Sequence, residues 1–199
     1  MLEQKNQTIT ENTSTSSKRY ERTKRLVQGA MFAALITVGA FIKIPMPIMS
    51  FTLQFLFTML AGYTLGGKWG AAAVCIYIAM GLIGLPVFSE GGGISYVLKP
   101  SFGYIIGFAA GAYVTGTIAN RVPKPGYPRL FAAAFAGLAV VYILGVGYLY
   151  VIKRFYIGDT IELMPFILYY ILPDSLGDIT LCVIASLLSK RLIPLINRK

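Results

Sequence analysis

Histidine is absent from this 199-residue sequence, cysteine occurs twice and tryptophan once, and charged residues make up only 13%. Without an imidazole there is no side chain that ordinarily titrates near neutrality. Histidine proton relays and Ser–His or Cys–His nucleophiles are therefore excluded, and the commonest metal ligand is missing. Cys75 and Cys182 lie inside apolar runs (AAAVCIYIAM and DITLCVIASL), where a thiol behaves as a small hydrophobe. No GxSxG elbow occurs, and Trp69 follows Gly67 and Lys68 where a P-loop needs Ser or Thr, so the chain carries no ATP-driven motor of its own. The expectation is a protein that is not an enzyme, with no metal and no cofactor.

What is present is apolar: 56% hydrophobic residues and a mean hydropathy of +0.67, punctuated by 21 glycines and 10 prolines. That composition excludes a disordered chain, a disulfide scaffold and a water-soluble domain. Apolar segments run over 26–42, 51–65, 69–85, 102–119, 130–152 and 163–188. A span needs about 20 apolar residues, fewer inside a bundle, so the expected fold is an all-α integral membrane six-helix bundle. Residues 1–25 are polar and read as a disordered cytoplasmic tail, 26–194 as the membrane domain, and 195–199 as a basic cytoplasmic end.

Charge distribution sets the orientation. With the amino terminus inside, 14 Lys and Arg fall on the inner side, and only Lys43, Lys99, Lys153 and Arg154 fall outside. This asymmetry places both termini in the cytoplasm of a multi-pass cell-membrane protein, so the formal charge of +10 reflects topology rather than nucleic-acid binding. The acids are distributed the other way: Glu90, Asp159, Glu162, Asp174 and Asp178 lie toward the outer face.

The outer loop GLPVFSEGGGISYVLKPSFGY, residues 84–104, contains three consecutive glycines, Gly91, Gly92 and Gly93, that let backbone approach a small molecule. Its apolar residues suit it to covering a pocket. Lys99 near its end could simply snorkel to the interface, but Glu90, Asp174 and Asp178 converge on the same region. Asp174 or Ser175 is placed to cap the helix that follows Pro173. Asp178 lies one turn deeper, where an unpaired carboxylate costs several kcal/mol, and is the leading site candidate. In the first segment Ala30 and Ala34 form a small-xxx-small pair that lets another helix come close.

The stretches PMPIMSFTLQFLFTMLAGYTLG, GLIGLPVFSEGGGISYVLKPSFGYIIGF and GDITLCVIASLLSKRL resemble the BioY family, the biotin-specific substrate-binding components of energy-coupling-factor transporters. The resemblance runs from about Gly29 to Leu192. It implies biotin bound near the outer face, beneath the loops joining helices one to two and three to four. Asp178, after Gly177, matches the family aspartate that hydrogen-bonds the substrate, and the polar residue of the glycine loop falls at Glu90 to Gly92. Basic positions of some members are Leu181 and Ile105 here, and the usual glycine before Pro100 is Lys99. Lys99 is therefore expected to meet the biotin carboxylate, with Lys153 or Arg154 as alternatives, and Phe88, Tyr96, Phe102 and Tyr104 to form the apolar wall. The resemblance also implies that Ala30 and Ala34 meet the coupling transmembrane subunit, with two cytoplasmic ATPases supplying energy. Rival expectations are a component for another vitamin and a membrane-integral enzyme acting on lipid.

Overall fold

The computed structural model describes residues 2–44, 51–158 and 172–196, with side chains over 19–44, 51–158 and 174–196. Six α-helices lie among the described residues: α1 (Leu2–Phe41), α2 (Gln54–Leu65), α3 (Gly67–Leu82), α4 (Phe102–Ala119), α5 (Tyr127–Val151) and α6 (Leu172–Ile196). After α1 comes a short hairpin, β1 (Lys43–Ile44) and β2 (Phe51–Thr52), paired antiparallel with Lys43 opposite Thr52. A 3-10 turn, Ile94–Leu98, precedes α4, and a π-helical turn, Ile152–Ile157, extends α5. The beginning of the sixth apolar segment, with Asp159 and Glu162, and the last residues Arg198 and Lys199 lie outside the described residues.

The architecture is all-α, but its helices are unequal. Four stretches are long and apolar enough to cross a membrane: Arg19–Phe41, Phe102–Ala119, Tyr127–Ile157 and Asp174–Ile196. The segments expected at 51–65 and 69–85 give helices of 12 and 16 residues, each below the roughly 20 of an independent span. Gly66 is the reason for the break: at φ +83 it ends α2 and immediately precedes α3, a conformation that side chains resist. The polar segment 1–25, read as a disordered tail, is helical from Leu2. Adding turns to an existing helix avoids a new nucleation step, which is how α1 continues past its apolar portion.

Small residues bring the helices together. Gly107 and Gly111 of α4 face Val141 and Gly137 of α5: a Cβ on Gly107 would lie 3.0 Å from the Val141 carbonyl oxygen, and one on Gly111 2.7 Å from Val141 Cγ2. In the same way a Cβ on Gly62 of α2 would meet the Ala112 carbonyl of α4 at 2.6 Å. Close backbone approach of this kind is how membrane helices gain dispersion energy without a hydrophobic force between them. Tyr63, fully buried, adds a polar tie: its hydroxyl donates to the Leu130 carbonyl at 2.6 Å and lies 3.2 Å from Ser186 Oγ, joining α2, α5 and α6.

At one end of the bundle basic side chains close the helix termini. Lys24 donates to the Ile196 carbonyl at 3.3 Å, Arg25 stacks over Trp69 at 5.8 Å, and Lys190 donates to the Pro125 carbonyl at 2.8 Å. Lys24, beside the carboxyl end of α6, complements that helix's macrodipole. The polar cavity described next lies at the other end.

These contacts predict unequal glycine tolerance. Gly62→Ala is expected to destabilise the protein by about 1–3 kcal/mol, because backbone must move to admit the methyl. Gly29→Ala meets nothing within 4 Å and should leave the unfolding midpoint unchanged or slightly raised. Thermal unfolding of the detergent-solubilised variants checks both.

Candidate ligand-binding site

The outer loop is built around one aromatic anchor. Phe88 and Gly91 exchange backbone hydrogen bonds of 2.9 and 3.2 Å, making a tight turn with Ser89 and Glu90 at its tip. Gly91 and Gly93 adopt φ values of +108 and +104, and Gly93 N–H donates to the Gly81 carbonyl at 2.7 Å, so the glycines shape the turn and fasten it to α3. The Phe88 ring, 0% exposed, occupies the space left by the missing side chain of Gly81. It packs edge-on to Tyr77 at 5.3 Å and lies 4.5 Å from Tyr96.

Under this turn is an open-mouthed cavity that is continuous with solvent. Its walls come from β2 and α2 (Phe51, Thr52, Gln54, Phe55), the loop (Ser89, Glu90, Tyr96, Ser101), α4 (Tyr104, Ile105, Phe108) and α6 (Asp174, Asp178). Three acids line it, and among the described residues no base does.

Of the expected site residues, the structure brings Glu90, Tyr96, Tyr104 and Asp178 into this lining. Phe88 stands behind the wall, and Phe102 is buried against Tyr148, with ring centroids 6.1 Å apart. Gly91, Gly92 and Gly93 form the turn rather than the lining. Lys99 is at the rim: its ammonium pairs with Glu90 Oε2 at 2.7 Å and sits 4.8 Å from the centre of the Tyr96 ring. The two side chains are 40% and 45% exposed, and a pair this wet contributes about 0–1 kcal/mol. From the opposite side Lys43 donates to the Ser89 carbonyl at 3.1 Å, so two lysines hold the tip of the turn.

Asp178 accepts a hydrogen bond from the Tyr142 hydroxyl at 2.9 Å. The residue before it is glycine for a steric reason: a Cβ on Gly177 would stand 2.5 Å from the Phe51 ring, which packs there to form the wall beside the acid. Asp174 is not the helix cap expected of it. The helix already includes Leu172, so Asp174 lies in its first turn, favourable for an anion, and reaches the cavity with Asp178.

Sequence reasoning passed over Gln54, Ser89 and Ser101. Gln54 had a signal, as the one amide in the apolar segment 51–65: it is buried, bonds the Tyr77 hydroxyl through its amide nitrogen, and accepts from Thr52 Oγ1 at 3.1 Å. Among the described residues no group of three or more His, Cys, Asp and Glu is assembled in a way that could hold a metal ion.

Comparison with known proteins bears on this cavity. The sequence model of the BioY family matches residues 8–198. The probable biotin transporter BioY of Lysinibacillus sphaericus is 44% identical over 174 residues, 87% of this chain and 89% of the relative. The biotin transporter BioY of Thermotoga maritima is 37% identical over 175 residues, 85% of this chain and 95% of the relative. A crystal structure of the S-component for biotin from an ECF-type ABC transporter superposes with a TM-score of 0.66 at 27% identity, covering 87% of this chain and 92% of the other. These relatives are named as transporters, not enzymes.

The hydrogen bond to Asp178 predicts a stability effect separable from ligand binding. Tyr142→Phe removes the donor to a largely enclosed carboxyl group and should destabilise the empty protein by about 1–2 kcal/mol. Tyr104→Phe removes a hydroxyl without a hydrogen-bond partner among the described residues and should cost little. Unfolding of both variants in detergent distinguishes them.

Proposed function

Because the chain belongs to the BioY family and is a multi-pass protein of the cell membrane, we propose that it captures biotin from outside the cell as the substrate-binding component of an energy-coupling-factor transporter. The observation that carries the reading is the cavity at the acid-bearing end of the bundle, with Asp178 in a wall that includes five aromatic residues.

Biotin presents ureido N–H donors, an apolar thiophane ring and a carboxylate. Asp178 accepts from the ureido group, with Asp174 one turn away as a second acceptor. Phe51, Phe55, Tyr96, Tyr104 and Phe108 enclose the ring system, and the glycine turn closes over it. Ile105 lines the wall where some family members have arginine, and Leu181 is buried, so neither supplies a cation. Lys99 receives the carboxylate.

All six helices cross or enter the bilayer with both termini cytoplasmic. Support comes from the basic end of the bundle, where Lys24, Arg25 and Lys190 lie opposite the cavity, in keeping with the positive-inside rule. Energy comes from two cytoplasmic ATPase subunits through a coupling transmembrane subunit that docks on α1. Ala30 and Ala34 are exposed there beside the exposed apolar residues Val27, Met31 and Val38, whereas Phe32, Ala33 and Ile36 turn into the core. The result is a low, apolar strip for a partner helix.

Calorimetric titration of the detergent-purified protein with biotin tests the capture step. Asp178→Ala is expected to weaken binding by at least about tenfold, since ureido donors would enter the cavity unpaired. Absence of binding by the unmodified protein, or an unaffected variant, would overturn the assignment. For the docking strip, replacing Ala30 and Ala34 together by tryptophan should abolish co-purification with the coupling subunit and biotin uptake while biotin binding persists.

A further inference from the structure

The arrangement at the cavity mouth raises an electrostatic difficulty for an anionic ligand. Glu90 lines the cavity, whereas Lys99 does not: the glutamate carboxylate stands at 2.7 Å from the lysine, with its own backbone carbonyl 3.5 Å from the same ammonium. The cation is thus shielded from the cavity by an acid, and the remaining charged lining residues, Asp174 and Asp178, are acids too. A ligand carboxylate that entered with this arrangement intact would meet like charge on the wall and no free base among the described lining residues.

We propose that Glu90 is a resident stand-in for the ligand's carboxylate: it pairs with Lys99 while the site is empty and is displaced from it when a monocarboxylate ligand binds. This rests on the proposed biotin-binding reading and adds a specificity-determining residue to the same site. The exchange replaces one carboxylate–ammonium pair by another, so the number of ion pairs is conserved. Both side chains are about half exposed, so the outgoing carboxylate swings into water instead of being stranded. The turn that carries it need not unfold, because Phe88 stays seated on Gly81 and Lys43 holds the Ser89 carbonyl independently of Lys99.

Placement of the glutamate at the tip of a glycine-shaped turn makes its effect depend on the charge of the ligand. A neutral analogue lacks the group that competes for Lys99, so it leaves the resident pair in place and gains nothing from the cation. Glu90 therefore lowers affinity for every carboxylate ligand by the strength of its own pairing, and does not tax neutral ligands.

The test compares biotin with biotinamide, which lacks the charged carboxylate, on the detergent-purified full chain. Glu90→Gln should raise biotin affinity by about two- to fivefold, the range expected for release of a half-exposed pair, and leave biotinamide unchanged. Lys99→Gln should lower biotin affinity toward that of biotinamide. Added salt should shrink the Glu90→Gln gain. A Glu90→Gln variant that binds biotin no better than the unmodified protein, or that gains equally for biotinamide, overturns the exchange while leaving biotin capture intact. Failure of the unmodified protein to bind either ligand overturns the biotin reading, and the exchange with it.

Discussion

The seating of Phe88 on Gly81 is the contact from which the geometry of the cavity mouth follows. Irregular backbone at the margin of a bilayer must be buried against protein, because unsatisfied peptide groups are costly there. The outer loop meets that requirement by inserting one ring into the bundle, against Tyr77 and Tyr96, and by closing its own backbone bonds between Phe88 and Gly91. With the anchor fixed, Ser89 and Glu90 stand at the mouth and Tyr96 turns one face toward the cavity. Tyr77 in turn holds the Gln54 amide in the wall. A side chain on Gly81 would displace the ring, and every one of these positions would shift with it.

Against that rigid anchoring, the charges at the rim are loosely held. An exposed ion pair contributes about 0–1 kcal/mol, so the half-exposed pair between Glu90 and Lys99 yields cheaply. That is the reason for assigning rearrangement to the rim and not to the helix walls.

Much of this was readable in the sequence, and the exceptions have physical causes. The all-helical character was legible in the hydropathy, and the depth of Asp178 in an apolar run marked it as a candidate for the cavity, where it is found beside Tyr142. What composition could not supply was the direction of a side chain. Phe88 and Phe102 were expected in the wall because aromatic residues near a glycine loop suit a pocket; both instead fill packing space behind it. Asp174 was read as a cap because Pro173 suggested a helix start, but a proline is tolerated in a first turn, and the helix includes Leu172. Gln54 was overlooked since a single amide inside an apolar stretch has no periodic signature. The end of α2 at Leu65 falls where the apolar segment 51–65 ends, and the positive φ of Gly66 is its physical cause.

The contrast between wall and rim also bears on how a closed bundle could admit and release a ligand. Between α4 and α5, and between α2 and α4, backbone lies against backbone at glycine, so sliding one helix past the other would bring carbonyl groups into collision. The loops above them are joined by contacts of another kind: Lys43 to the Ser89 carbonyl, Lys99 to Glu90, and Ser89 Oγ to the Tyr96 hydroxyl at 3.3 Å, each at least partly open to solvent. Such contacts can be exchanged for water one at a time, whereas the helix seams can open only together. Local opening draws on the least stable contacts first, so the side-chain contacts at the rim give way before the helix seams, while Phe88 keeps the glycine turn on its anchor. The helices then serve as a fixed wall on which Asp174 and Asp178 hold their positions whether or not the mouth is open.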